Sequence, residues 1–260
     1  MDHRSDSLVI GGGVIGAATA FWRSLRLSGP EIGSTGQGGH RSWVVSTNRG
    51  AFEAAEVVVC AGPLAHRLLS PFSVDLPRRI NPRYRALIPD PPSGPEPEEI
   101  DAPLVINIRN GAYWRPAPGG VWLSIANVDD TSVEPRDNIV VPAGFVPSCA
   151  AEIEPVSPRL AARARAAAAS GTAVVGGGYQ AYPADDLPFV GAVPGWPNLY
   201  ANYGHWAGIM LAPASARLLT DLIRGVVDDG DNPCRLSRFD GGDRQQLLGA
   251  RSTNKFGGWG

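Results

Sequence analysis

Three glycines at fixed spacing restrict this chain more than any other feature. Leu8-Val9-Ile10 is a short apolar run that ends in Gly11-Gly12-Gly13, and Val14 to Leu27 then carries helical character through Ala17, Ala18, Ala20 and Phe21. The order is strand, glycine turn, helix. Within it, Gly11-x-Gly13-x-x-Gly16 has the spacing of a dinucleotide-binding fingerprint. The first glycine allows a tight turn, the second lets a pyrophosphate approach the backbone, and the third lets the helix pack closely on the strand. The amides that open the helix, around Val14 and Ile15, would receive the negative charge. A tight strand–helix turn with no ligand satisfies the same pattern, so the spacing alone leaves both readings open.

Composition narrows the classes. A chain of 260 residues with 43% hydrophobic content buries a sizeable core, as one large domain or two small ones. With 18% charged residues and a net charge of -2, no strong field points to nucleic acid or an anionic membrane as partner. No apolar run approaches the ~20 residues of a membrane helix. The apolar stretch before Gly11 is too short for a signal peptide, so a cytoplasmic location is expected. Cys60, Cys149 and Cys234 lie far apart with no CxxC pair, which argues against a disulfide framework and a zinc site.

Along the chain, residues 29–41 are glycine-rich loop. Ser42 to Thr47, the turn Asn48-Arg49-Gly50 and Glu56 to Cys60 read as a hairpin or as successive strands. Ala61-Gly62-Pro63 punctuates, and Leu64 to Leu69 begins a helix. Pro89 to Pro103 is a surface loop, with strands expected at 104–108 and 121–126. Arg159 to Ser170 has high helix propensity. Ala212 to Val227 is an amphipathic helix with Leu218, Leu219, Leu222 and Ile223 inward. The tail from Gly241 is polar and glycine-rich, and disorder is expected there.

Four segments, in order, carry a resemblance. They are Glu56-Val57-Val58-Val59-Cys60-Ala61-Gly62-Pro63; Gly111-Ala112-Tyr113-Trp114-Arg115-Pro116 with Gly119-Gly120; Tyr182-Pro183-Ala184-Asp185-Asp186-Leu187-Pro188-Phe189-Val190-Gly191; and Gly204-His205-Trp206-Ala207-Gly208-Ile209-Met210-Leu211-Ala212-Pro213. Together with the fingerprint they resemble the FAD-dependent oxidoreductases of the D-amino-acid oxidase, glycine oxidase and sarcosine oxidase family. The resemblance implies an α/β fold: a discontinuous Rossmann-like FAD-binding domain over residues 1–76 and 191–240, and a mostly antiparallel β substrate domain over 77–190. The cofactor it implies is FAD. Gly11, Gly13, Val14, Ile15, Gly16, Ala61, Gly62, Gly204, Gly208, Ile209 and Met210 are the binding positions. The reaction it implies is hydride transfer from the carbon beside an amine to flavin N5.

The chain departs from the family pattern in two places. No β-run leads into an acid roughly 20 residues after the glycines, where the ribose hydroxyls are usually held. Glu31 stands too early, as a vestigial ribose ligand or a plain surface-turn carboxylate. The stretch that relatives carry between His40-Arg41 and Ser42-Trp43 is missing, so both domains are shortened, and a second copy or a partner subunit would be needed to cover the exposed edge. Relatives also place arginines where this chain has Tyr182 and Ala207. Arg115, with Tyr113 beside it, is then the remaining candidate to grip a small amine or amino acid, unless it pairs with an acid for structural reasons. His205 either lines the flavin site or packs its turn. Two functions stay open: an FAD-dependent amine or amino-acid oxidoreductase, and a shortened relative that has lost redox activity and serves as a non-redox enzyme or binding protein.

Overall fold

The computed structural model describes residues 3–26, 43–48, 50–94, 103–125, 132–136 and 138–240. Two compact units divide the chain. Among the described residues, one holds those up to Arg79 and those from Gln180 to Asp240; the other is Ile80–Tyr179.

The first unit is built on β1 (His3–Ile10), α1 (Val14–Arg26), β2 (Trp43–Thr47), β3 (Gly50–Val59), α2 (Ala65–Leu69), β9 (Phe189–Ala192), β10 (Leu199–Tyr203) and α5 (Gly208–Ile223). Val57, Val58 and Val59 are consecutive, β-branched and buried, the signature of a strand covered on both faces. That strand, β3, is central. It pairs in parallel with β1, Leu8 opposite Val57 and Ile10 opposite Val59, and in parallel with β10, Leu199 opposite Val57. The order is β1-β3-β10-β9, and β2 forms an antiparallel hairpin with the first half of β3. The hairpin is therefore the form taken where the sequence left two open. One face of the sheet buries Val57, Val59, Phe189, Leu199 and Tyr203. The other packs Val58, Cys60 and Val190 under Leu219 of α5, with Ile15 of α1 beside them.

The second unit is an antiparallel sheet in the order β5-β6-β7-β4-β8, formed by β4 (Arg78–Pro89), β5 (Val105–Ile106), β6 (Tyr113–Ala117), β7 (Gly120–Ser124) and β8 (Val174–Pro183). Its first and last strands enter from the other unit. Pro118-Gly119 makes the two-residue turn between β6 and β7, with Gly119 at φ +77. Helices α3 (Phe145–Ile153) and α4 (Pro158–Ser170) cover one face of this sheet. Ala86, Ile88, Trp114, Val121 and Leu123 meet Cys149, Ile153, Leu160, Ala161 and Ala164 there, the small alanines admitting a close approach.

Three expectations shift. The last helix begins at Gly208 rather than Ala212: proline favours a first turn, which places a start near Pro213, yet one proline in an early turn removes only a single backbone bond and the helix opens ahead of it. The strand at 104–108 shortens to Val105–Ile106, because Asn107 starts a turn, accepting from Gly111 N at 2.8 Å and from Arg109 N at 3.1 Å. The strand at 121–126 runs Gly120–Ser124. The 29–41 loop and the tail from Gly241 lie outside the described residues.

Candidate functional site

Each fingerprint glycine has a separate physical reason. Gly11 sits at φ +129, and a Cβ there would collide with the Cys60 carbonyl at the end of β3. A Cβ on Gly16 would run into the Gly11 carbonyl, so the helix can lie this close to the strand only without one. Gly12 and Gly13 differ: among the described residues, no atom beyond their chain neighbours lies within 4 Å of a Cβ built on either. The fold itself therefore requires the first and third glycines. The space above the middle pair is left open at the start of α1, where Ala17 N to Gly13 O, at 2.9 Å, is the first helical bond. The amides of Val14, Ile15 and Gly16 precede that bond and have no intrahelical carbonyl to meet.

A second helix opening lies beside this one. Gly208, first in α5, has room for a Cβ that would touch Val14 Cγ1 of α1 at 4.0 Å and His205 Cβ at 3.9 Å. The helical bonds of α5 follow from Leu211 N to Ala207 O, so the Gly208, Ile209 and Met210 amides are its free first-turn donors. Around these openings Val14, Ile209 and Met210 are exposed, Ile209 to 80%. Exposed large apolar residues rimming a polar cradle mark a binding groove more often than bare surface. The turn after β3 belongs here too: Cys60 N donates to Ile10 O at 2.7 Å, which places Ala61 and Gly62, the latter at φ +54 with an open Cβ position, at the end of the same sheet.

His205 stands at the edge of this groove. Both ring nitrogens are buried and have no hydrogen-bond partner among the described residues. Burial pushes the imidazole down to about 4, so it is neutral at ordinary pH. A neutral imidazole with one unmet donor and one unmet acceptor costs free energy unless a ligand or water meets them. The open space over Gly12 and Gly13, the paired helix openings and this orphaned ring together fit a dinucleotide with a hydrogen-bonding ring at one end.

The remaining candidates fall elsewhere. Tyr113 and Arg115 alternate along β6 with Trp114, which is buried against α3 and α4; the two therefore share the opposite face of that sheet. Arg115 is exposed and donates from Nη1 to Pro116 O at 3.1 Å, with no carboxylate partner among the described residues. Trp122 is its cross-strand partner, and Arg85 lies over the Trp122 ring at 4.8 Å; the sequence reading missed both. They belong to Ile80–Tyr179, whereas the glycines and His205 belong to the other unit. Glu31 lies outside the described residues. Tyr182 is buried, and its hydroxyl donates to Gln180 Oε1 at 2.6 Å. Cys60 and Cys149 are buried thiols pushed up to about 11 and about 12 by desolvation, which leaves them protonated and unreactive.

A sheet whose glycine turn and two helix openings converge, in a chain that also carries a separate antiparallel sheet, defines an α/β protein of the Rossmann-like class. The chain belongs to the family described as FAD dependent oxidoreductase (DAO), whose model matches residues 28–222. Membership makes FAD the cofactor. Glycine oxidase from Pseudomonas aeruginosa is 50% identical over 42 residues, 16% of this chain and 12% of that protein. Among solved structures, glycine oxidase from Geobacillus kaustophilus superposes with a TM-score of 0.57 at 23% identity, over 75% of this chain and 48% of the other. Fructosamine oxidase from Aspergillus fumigatus gives 0.59 at 16% identity, over 79% and 49%. The chain thus spans about half the length of these solved relatives. No helix among the described residues is long and apolar enough to cross a membrane.

Two outcomes follow for the FAD-free protein. Gly16→Ala should cost roughly 1–3 kcal/mol of stability through overpacking, whereas Gly13→Ala should stay within about 0.5 kcal/mol, both read from urea unfolding. Because the folded His205 pKa of about 4 lies below the ordinary 6.5, the unfolded chain binds the proton more tightly. Its contribution is fully present above pH 6.5 and is lost as pH falls through about 4. His205→Leu should flatten the pH dependence of unfolding across that window.

Proposed function

We propose that this chain is an FAD-dependent oxidoreductase that oxidises the C–N bond of a small amine or amino acid. The observation that carries the reading is the open space over Gly12 and Gly13 between the two helix openings, closed to a side chain at Gly11 and Gly16 but not at the middle pair. The Val14, Ile15 and Gly16 amides would receive the pyrophosphate, aided by the positive end of the α1 dipole. Ala61 and Gly62 would flank the nucleotide. The Gly208, Ile209 and Met210 amides would face the electron-poor edge of the ring, where fixed donors stabilise negative charge as an oxyanion hole does. When bound, the flavin supplies the hydride acceptor.

This chain's own residues bind, orient and exclude water. His205, uncharged at neutral pH, can offer one N–H and accept at the other nitrogen without adding a positive charge to the site. Ile209 and Met210 shield the ring end from solvent. Arg115 and Tyr113 supply a cation and a hydroxyl on one sheet face, suited to an anionic or polar group of the substrate. The unit up to Arg79 and from Gln180 acts as the cofactor domain, and Ile80–Tyr179 as the substrate domain.

One observation favours a second reading, a relative without redox activity. Among the described residues, β1 has a strand on one side only, so the outer edge of the cofactor sheet has no partner. Under the first reading a second copy or a partner subunit covers that edge.

Purified protein is expected to be yellow and to release stoichiometric FAD on denaturation; a colourless protein that takes up no added FAD would establish the second reading. Gly13→Leu should weaken FAD binding by at least about 100-fold, ~2.7 kcal/mol, with the FAD-free fold intact. In a substrate panel scored by imine or peroxide formation, Arg115→Met should lower kcat/KM by about 10- to 150-fold for substrates bearing a carboxylate, with FAD content unchanged.

A further inference from the structure

The turn that carries His205 is gripped by side chains that the cofactor reading does not use. Gln180 Nε2 donates to Trp206 O at 2.6 Å, and Gln180 Oε1 accepts from the Tyr182 hydroxyl at 2.6 Å. Trp206 Nε1 donates to Asp186 O at 3.1 Å. Asp186 sits at φ +61 in a turn fixed by its neighbour, since Asp185 Oδ1 accepts from Leu187 N at 3.1 Å. Arg238 then clasps Asp185 through Nε at 2.8 Å and Nη2 at 3.0 Å while lying over the rings of Phe189 and Phe239. At the head of the turn, Gly204 takes φ +83, and a Cβ there would press on Phe189 and Pro183 at 3.0 Å.

Gly204 to Ala207 is therefore held at three points. Its glycine is wedged against Phe189, its Trp206 carbonyl is bound by Gln180, and its Trp206 indole is bound by the Asp186 turn. His205, in the middle, has neither ring nitrogen bonded within the described residues. The carbonyl that Gln180 binds is also the one that the Met210 amide would seek if the helix extended back by one more residue. Ala207 at φ -113 and ψ 54 breaks the helical path, so Gln180 meets Trp206 O from outside the helix. The bond thereby fixes where α5 opens and which of its amides stay free.

We propose that Gln180 is a positioning residue which, acting with Trp206, aims the His205 ring and the first-turn amides of α5 at the ring end of the bound flavin. The inference rests on the flavin reading above. A carbonyl partner lost from a half-buried hydrogen bond of this kind translates to about a tenfold change in an equilibrium. In this role Gln180 acts through the turn it holds.

The test uses the full chain with Gln180→Leu, which loses both bonds, and Gln180→Glu, which can still accept from Tyr182 but cannot donate to Trp206 O. Trp206→Phe keeps an aromatic ring, smaller than the indole, and removes the donor to Asp186, so it serves where a Gln180 variant does not fold. FAD affinity is read from flavin fluorescence, and the environment of the ring from the visible band of bound flavin. Hydrogen exchange at the Gly204–Met210 amides is read in FAD-free protein. Both Gln180 variants should weaken FAD about tenfold, displace the visible band and speed exchange at that turn, with exchange in β1 and β3 unchanged. Wild-type affinity, band and exchange in both variants would overturn the proposal. Faster exchange at the turn in a chain whose wild type takes up no FAD would instead overturn the flavin reading and leave the grip on the turn standing.

Discussion

Helix α1 descends onto the end of the parallel sheet with backbone against backbone. Gly16 faces the Gly11 carbonyl, and Gly11 faces the Cys60 carbonyl, with no side chain between any of them. Most of the first unit follows from this approach. It sets the depth of α1 against β1 and β3, and that depth brings Val14 within reach of Gly208, so that two helix openings share one groove. A single methyl group at either contact would push the helix outward and separate its free amides from those of α5. The cradle is thus a by-product of packing: the fold needs glycine at two positions for its own sake, and the gap above the middle pair comes with it.

Charge is arranged sparingly around this groove. The first turn of α1 contains no acid to compete for the positive end of its dipole. His205 is kept neutral by desolvation. Arg238, in the same unit, is engaged by Asp185, three carbonyls and two aromatic faces. Such an arginine is a staple for the Asp185–Leu187 turn, a role that no local pattern around Arg238 marks. Arg115 and Arg85 lie instead on the other unit's sheet, beside Trp122.

Local features could be read from residues and long-range ones could not. The glycine turn announces itself within six residues because its reasons are steric and immediate. Val57 to Val59 likewise shows as a buried strand. Strand β4 was hidden: Arg78, Arg79, Arg83, Arg85 and Pro82 break any apolar alternation, and the strand is held by pairing with β7, far along the chain. The bond from Gln180 to Trp206 spans a separation that no periodicity encodes. Arg115 was visible as a candidate, whereas its neighbour Arg85 reaches Trp122 only through the register of β4 on β7.

The chain leaves the first unit at Arg79 and returns at Gln180, both crossings falling within strands. During synthesis, β1, α1 and β3 therefore emerge long before β10 and α5, the elements that complete their sheet and cover their helix. The intervening segment holds local pairs of its own, the β6–β7 hairpin and the α3–α4 pair, which are ready to condense early, while β4 waits for β7 and β8. Until the final helix leaves the ribosome, Val58 and Cys60 lack their cover on one side. Nascent-chain quality control would meet this protein in that unfinished condition, and how quickly the last segment docks governs how long the apolar sheet face is open to chaperones.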